Sequence, residues 1–314
     1  MGCRWWFATN FTNGTMNPLR RISCVGDLMI ECMPRVTSFP PPGTTLVVDP
    51  VRREIGGAAF NICYYLRQLG FKPRLIASYG QYDRLLVEKA CVDSDLEIED
   101  LVQCSGATDF LLALLTDQEH CSVYVRGDLC EKLAGELLQR AKGERWLVLA
   151  GSRHPTIRNV FVNLAAEFAG DCLAFNPSYA IFEYSSIELN AVLGHSHVVL
   201  FNEQEALHAM RLLGLADEDD LARHVSGILI ITLGRNGLRY YASETVKQVP
   251  VVNPVSRNVI GAGDAFFAGF LWARHRGENV NRSIAFGSAV AQKVVESDTI
   301  RVKVSEADIV DALN

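Results

Sequence analysis

The chain has no cluster of lysines and arginines and no long apolar run, and each absence excludes a class of protein. Its 30 basic residues are outnumbered by 36 acidic ones, and the net charge is −6, so a nucleic-acid partner is not expected. No apolar stretch is long enough for a signal peptide or a membrane span. Anionic substrates must then be held by local groups, such as backbone N–H donors and a metal, rather than by a general positive field.

Cysteine and histidine form no metal-binding or disulfide pattern. The nine cysteines are odd in number and scattered, without a C-x-x-C pair. Cys24, Cys63 and Cys172 lie in apolar segments, where a free thiol packs as a small hydrophobic group. A reducing, cytoplasmic setting is therefore predicted. The seven histidines show no ligand spacing either.

The length of 314 residues, with 49% hydrophobic and 21% charged residues, suits one large α/β domain with an appendage, or two ordinary domains. Residues 1–20 are unlike the rest, and we predict that they form a poorly ordered extension, with Met16 as a plausible true start. An N-myristoylation signal is not matched, because Trp6 stands where Ser or Thr is needed. The folded unit is predicted to span residues 21–314.

Helical and strand patterns alternate in the second half of the chain. Near-continuous apolar strands between amphipathic helices indicate a parallel sheet that is buried on both faces. The predicted strands are 146–150, 172–175, 198–201 and 228–232, and the predicted helices are 129–141, 157–168, 187–193 and 203–213. Earlier strands are predicted at 22–26 and 74–78, and a helix from Gly56 to Gly70. Two irregular segments, residues 34–50 and 108–126, interrupt the pattern.

One segment, Val259 to Leu271, with the sequence VIGAGDAFFAGFL, suggests a chemical step. Gly261, Ala262 and Gly263 are small residues at the start of an apolar helical pattern, where free N–H groups and the helix dipole favour an anion. Asp264 follows at once and would repel a bound phosphate. Its position is explained if it is a base that takes a proton from the attacking hydroxyl. The alternative is a glycine-rich loop before a core helix, and the motif alone leaves both open.

This segment resembles the C-terminal signature of the ribokinase (PfkB) family of carbohydrate kinases. A second stretch, from Glu54 to Gly70, resembles that family's N-terminal signature, and the similarity extends from Arg21 to Ile300. The resemblance implies a three-layer α/β/α ribokinase-like domain with a mostly parallel central sheet, and a small β-sheet lid formed by the two irregular segments. It also implies ATP-dependent phosphorylation of an alcohol with the help of Mg²⁺.

The resemblance assigns roles to residues that would otherwise carry little weight. Substrate contacts are implied for Asp27, Glu31, Gly56, Gly57 and Asn61, and nucleotide contacts for Thr232, Gly234, Gly237 and Ser288. Asn202 and Glu205 match an N-x-x-E motif associated with Mg²⁺ and phosphate. By themselves these two residues would be a helix N-cap with a capping box, and both roles can hold together.

Several positions depart from the family pattern. Glu31 stands where the family usually has an aspartate, and Met29 where ribokinase has a polar contact, which argues against ribose. Residues Asn176 to Ser178 read N-P-S, where many family members have D-P-N. Ser288 stands where an asparagine commonly contacts the adenine. Asn258 replaces a carboxylate that helps to bind K⁺ in the family, so a K⁺ site is doubtful.

The sequence therefore predicts a cytoplasmic carbohydrate kinase in which Asp264 is the general base and Gly261 to Gly263 form the anion hole. A nucleoside kinase of the same family and a catalytically weak paralogue that binds sugar or nucleotide remain as alternatives. The expected ligands are ATP and a small sugar or sugar-like molecule, which the sequence does not identify. A homodimer that forms through the lid is also predicted.

Overall fold

The computed structural model of the protein describes residues 21–116, 119–128, 132–243, 245–251, 260–297, 299 and 301–313. The strands in chain order are β1 (Ile22–Gly26), β2 (Met29–Cys32), β3 (Glu54–Gly56), β4 (Arg74–Ile76), β5 (Ser78–Gly80), β6 (Val102–Cys104), β7 (Asp109–Leu115), β8 (His120–Val125), β9 (Trp146–Ala150), β10 (Cys172–Asn176), β11 (Val198–Asn202), β12 (Ile228–Thr232), β13 (Leu238–Ala242) and β14 (Thr245–Val249). The helices are α1 (Ala58–Gln68), α2 (Arg84–Asp93), α3 (Lys132–Ala141), α4 (Pro155–Glu167), α5 (Ser186–Leu193), α6 (Glu203–Leu213), α7 (Glu218–Arg223), α8 (Ala262–His275), α9 (Val280–Val295) and α10 (Glu306–Leu313).

Eight strands form the main sheet, in the order β14-β13-β12-β11-β10-β9-β1-β4. The six strands from β4 to β12 in this order are parallel, and β13 and β14 are antiparallel to their neighbours. Alternate residues of β1 and β9 enter two separate hydrophobic cores, one with α1, α8 and α9 and the other with α3, α4 and α5. Burial on both faces explains why these strands read as continuous apolar runs. The predicted α/β class with a mostly parallel sheet is confirmed.

A smaller sheet of four strands, in the order β3-β2-β7-β8, stands apart from the main sheet. We call it the lid sheet, and the predicted small lid is confirmed. Its strands differ in part from the expected segments: β7 and β8 lie within residues 108–126, but residues 34–50 contain no strand among those described. The strands β2 and β3, which flank that segment, enter the sheet instead.

Two expected boundaries near the first signature shift for identifiable reasons. The predicted helix from Gly56 begins at Ala58, because Gly56 belongs to β3 and Gly57 has a φ of 96°, which a helix cannot include. The predicted strand 74–78 is divided: β4 pairs with β1 in the main sheet, whereas β5 pairs with β6 in a separate two-stranded sheet. In the described part of the chain, no helix has both the length and the apolar character needed to cross a membrane.

Candidate active site

The polar residues singled out in the sequence converge on the carboxyl edge of the main sheet. Asn176 is aligned with Ala150 and Gly26 at the ends of β10, β9 and β1. At the ends of β11 and β12, Asn202 is aligned with Thr232. The carboxyl ends of parallel strands are where open α/β sheets bind their ligands.

Helix α8 begins at this edge with backbone N–H groups that no side chain in the described part of the chain caps. Gly261, the N-cap residue, has a φ of 79°, in the left-handed region that favours glycine. A side chain at Gly263 would meet no atom within 4 Å, so the space in front of the first turn is open. Asp264 lies in this first turn and is half-buried.

Two buried asparagine amides hold the carboxylate of Asp264. The Nδ2 group of Asn61, on α1, donates to Asp264 Oδ2 at 3.0 Å. The Nδ2 group of Asn176, the last residue of β10, donates to Asp264 Oδ1 at 3.1 Å. Each oxygen therefore has one amide partner, and the carboxylate is fixed in orientation while its remaining lone pairs stay available.

The pKa of Asp264 is raised to about 7. Burial is the main cause, and the nearby carboxylate of Glu31 adds to it, whereas the hydrogen bonds from Asn61 and Asn176 oppose the rise. A carboxyl group with a pKa close to neutrality suits proton transfer near pH 7.

Glu31, on β2, lies close to Gly56, the last residue of β3, and to Gly57, which follows it. Glu31 Oε1 accepts a hydrogen bond from the Gly57 N–H at 3.1 Å, and its Oε2 is buried with no hydrogen-bond partner among the described residues. A Cβ atom on Gly56 would lie 2.1 Å from the Glu31 carboxyl carbon, and one on Gly57 would lie 2.4 Å from the Asp27 carbonyl oxygen. Gly57, with a positive φ and a backbone contact, therefore requires glycine, whereas a side chain at Gly56 would displace the Glu31 carboxylate.

Asp27 connects the body of the protein to the lid sheet. Its Oδ2 accepts from the backbone N–H of Arg153 at 3.2 Å and lies 3.4 Å from the hydroxyl of Tyr124, on β8. The same hydroxyl donates to Asp109 Oδ2, on β7, at 2.7 Å. Burial and the neighbouring Asp109 carboxylate raise the pKa of Asp27. No motif in the sequence pointed to Asp109 or Tyr124.

Asn202 and Glu205 form the reciprocal capping box at the start of α6. Asn202 Oδ1 accepts from the Glu205 N–H at 2.9 Å, while the Glu205 carboxylate accepts from the backbone N–H and the side-chain amide of Asn202, both at 2.8 Å. Burial raises the pKa of Glu205 to about 7. Every oxygen of this pair already has a protein partner, and no group of three metal-ligating side chains occurs in the described ranges. The pair thus suits a water-mediated contact with Mg²⁺ rather than a direct cage.

The expected nucleotide residues lie on several elements, with Thr232 next to Asn202 at the sheet edge. Thr232 ends β12, and its hydroxyl is 3.4 Å from the carbonyl oxygen of Phe201. Gly234 and Gly237 both have positive φ, and a Cβ on Gly237 would lie 2.0 Å from the Val249 carbonyl oxygen. Ser288 is half-buried on a different element, α9. Asn258, on which the K⁺ expectation depends, lies outside the described residues.

Two further contributors, besides Asp109 and Tyr124, were missed or misjudged in the sequence. Asn176 was noted as a departure from D-P-N, but not as a partner of Asp264. Arg301 drew no attention, yet its guanidinium reaches Asn61 Oδ1 at 3.4 Å and Glu54 Oε2 at 2.8 Å. Because Arg301 is 240 residues from Asn61 in the chain, no local spacing could have revealed the contact.

The fold and its site define a class, the ribokinase-like α/β phosphotransferases with an alcohol group as acceptor. The chain belongs to the pfkB family of carbohydrate kinases, whose family model matches residues 19–305. This confirms the family that the two signatures predicted.

Individual relatives carry different names. A nucleoside kinase of Methanocaldococcus jannaschii is 25% identical over 298 residues, which cover 89% of this chain and 91% of that protein. The structure of Burkholderia thailandensis nucleoside kinase in complex with inosine has a TM-score of 0.80 at 20% identity, covering 91% of this chain and 96% of that one. A ribokinase structure from Thermotoga maritima has a TM-score of 0.78 at 20% identity, with coverage of 94% and 99%.

Proposed function

We propose that this protein transfers a phosphoryl group from ATP to a hydroxyl group on a sugar ring, with Asp264 as the general base. The observation that carries the proposal is the position of the Asp264 carboxylate. It is held by Asn61 and Asn176 in the first turn of a helix whose N-terminus is not capped by any side chain of the described residues. Proton acceptor and anion-binding N–H groups therefore stand side by side, as transfer of a phosphoryl group to an alcohol requires.

The proton is proposed to move from the attacking hydroxyl to Asp264. A pKa of about 7 leaves a large fraction of the carboxyl group ionised at neutral pH and able to accept that proton. The N–H groups of Ala262 and Gly263 would then stabilise the charge on the transferred group, and the absence of side chains at Gly261 and Gly263 lets a phosphate approach closely.

The acceptor is proposed to lie against Glu31, Asp27 and Asn61. Glu31 Oε2 is buried and no residue that the structure describes donates to it, and such an atom costs free energy unless a ligand donates to it. A ring hydroxyl can make that bond, and Gly57 keeps the second carboxylate oxygen in place. A polyhydroxylated ring therefore matches these polar side chains better than an apolar alcohol.

The nucleotide is proposed to lie along Thr232, Gly234, Gly237 and Ser288. Glu205 would contact the hydration water of a Mg²⁺ ion, and bound Mg²⁺ would neutralise charge on the ATP phosphates. The capping box fixes Glu205 in a single orientation for this contact.

A nucleoside is the second candidate for the acceptor, and the names of relatives favour it. The Methanocaldococcus jannaschii relative and the inosine-bound structure are both nucleoside kinases, whereas the Thermotoga structure is a ribokinase. The two acceptors share a sugar ring and differ in the base attached to it. Thermal denaturation of the protein with an ATP analogue and a panel of nucleosides, free sugars and sugar acids separates them, because a ligand at about one hundred times its Kd stabilises the fold by about 2.7 kcal/mol.

The substitution Asp264→Asn tests the mechanism. It keeps the shape of the side chain but removes the proton acceptor, so we expect kcat to fall by about 10²–10⁴-fold, while folding and binding of ATP remain near normal. Single-turnover kinetics with the best substrate of the panel provide the measurement. If the variant keeps more than about a tenth of the wild-type kcat with chemistry rate-limiting, Asp264 is not the base. Ligand-induced stabilisation without turnover in the wild-type protein would instead favour the binding paralogue.

A further inference from the structure

Arg301 lies where the lid sheet, helix α1 and the carboxylate site meet. Its Nη2 donates to Glu54 Oε2, on β3, at 2.8 Å, and its Nη1 reaches Asn61 Oδ1 at 3.4 Å. The guanidinium carbon lies 5.5 Å from the centre of the Phe60 ring. The side chain is only 15% exposed. Three partners on two elements thus fix one guanidinium group.

The hydrogen bond from Arg301 to Asn61 determines the orientation of the Asn61 side-chain amide. An asparagine amide has an acceptor oxygen on one side and a donor NH₂ on the other, and rotation by half a turn exchanges them. Arginine has donors only, so it selects the orientation in which Oδ1 faces Arg301. Nδ2 then faces Asp264 Oδ2, at 3.0 Å. The opposite orientation would place an oxygen against the carboxylate and an NH₂ against a cation.

We infer that Arg301 is a positioning residue: it holds Asn61 in the orientation that orients Asp264, and through Glu54 it joins this arrangement to the lid sheet. The inference rests on the proposed function, because it takes Asp264 as the group that receives the proton. Arg301 itself touches neither reacting atom. Its hydrogen-bonding route to the carboxylate runs through Asn61. Burial raises the pKa of Glu31 and the charge of Arg301 opposes that rise, so a comparison with and without Asn61 is needed to isolate the first route.

A double-mutant cycle between Arg301 and Asn61 is the test. In the wild-type background, Arg301→Met should lower kcat by at least about tenfold with a much smaller change in the KM for ATP, since a displaced catalytic group loses rate before it loses binding. In the Asn61→Ala background, the same substitution should change kcat by less than about twofold, because the group through which Arg301 acts is gone. Glu54→Ala, which removes the carboxylate that ties Arg301 to the lid sheet, should lower kcat less than Arg301→Met does.

Arg276 provides a matched control. It also pairs with a glutamate, Glu306, at 3.2 Å, and it also lies over an aromatic ring, that of Trp272, at 4.6 Å. Among the described residues, its partners Glu306 and Trp272 lie outside the site, so Arg276→Met should leave kcat within about twofold of wild type. Where Arg301→Met fails to fold, as judged by thermal denaturation, Arg301→Lys keeps the charge and the apolar stem and is carried through the same cycle.

Two results would overturn the inference: a kcat for Arg301→Met within about twofold of wild type, or an equal loss in the presence and absence of Asn61. Either result with an inactive Asp264→Asn variant leaves the proposed function intact and removes only the role of Arg301. An active Asp264→Asn variant removes the base itself, whatever Arg301 does. The two failures are therefore distinguishable.

Discussion

At the scale of single residues, the pKa of Asp264 reflects a balance between burial and hydrogen bonding. Burial and the Glu31 carboxylate favour the neutral form, whereas the amides of Asn61 and Asn176 favour the charged form. The resulting pKa of about 7 lies far above that of an exposed aspartate because burial dominates. A group in this state loses its proton only as the pH rises through neutrality.

This balance predicts the pH dependence of turnover. Asp264 must be ionised to accept a proton, so kcat should fall as the pH is lowered through about 7. Asn176→Ala removes a donor that lowers the pKa, and it should therefore move the acid limb to higher pH by about one pH unit. Measurement of kcat from about pH 5 to 9 checks both statements.

Asn190, an exposed asparagine on α5, serves as the control for that experiment. Asn190→Ala should leave the acid limb where the wild-type protein has it. An acid limb that stays in place in the Asn176→Ala variant would show that the hydrogen bond at 3.1 Å does not set the ionisation of Asp264.

At the scale of elements, the start of α6 combines two roles that substitutions can separate. Asn202→Ala removes the N-cap and should cost about 1 kcal/mol of stability, whereas Asn202→Ser keeps a capping oxygen and should cost only a few tenths. Both variants lose the side-chain amide that holds Glu205 Oε1 at 2.8 Å. If Glu205 contacts hydrated Mg²⁺, we expect both to lower kcat by about tenfold. Chemical denaturation and steady-state kinetics provide the two measurements.

Asn279 is the corresponding control, since it caps α9 by accepting from the N–H of Arg282 and has no glutamate three residues on. Asn279→Ser should be nearly neutral in both measurements. A kcat for Asn202→Ser equal to that of wild type would reduce the N-x-x-E pair to a helix cap.

The elements also show what a sequence can and cannot predict. The strands β9 to β12 were predicted to within a residue, because strands buried on both faces are continuous apolar runs with clear ends. The lid strands β2 and β3 have only four and three residues, too few for an alternating pattern to be seen. Asn61 and Asp264 are 203 residues apart in the chain. The family signatures suggested that both residues matter, but not that they form a hydrogen bond.

At the scale of the whole molecule, the lid sheet leaves apolar side chains uncovered. Val123 and Val125, on the edge strand β8, are 57% and 52% exposed, and Val47 in the segment between β2 and β3 is 90% exposed. An exposed, apolar edge strand is prone to pair with another chain. These residues support the predicted homodimer through the lid.

Light scattering at about 20 μM should therefore give the mass of two chains. The double substitution Val123→Glu with Val125→Glu should yield a folded monomer, because each glutamate would have to be buried unpaired in the interface. Val246, on β14 at the far edge of the main sheet, is 52% exposed, and Val246→Glu should leave the dimer unchanged. A wild-type monomer at this concentration would contradict the prediction.

The order of the main sheet has a consequence for synthesis of the protein. From β1, the strands β9, β10, β11, β12, β13 and β14 follow one another across the sheet in the order of the chain. A nascent polypeptide can thus add each strand to the growing edge as it leaves the ribosome. Asn61 and Asn176 are in place early, but their common partner Asp264 is made only after the last strand. A chain interrupted before α8 can hold most of the sheet and still lack Asp264, so under the proposed mechanism an unfinished molecule should not spend ATP on phosphoryl transfer.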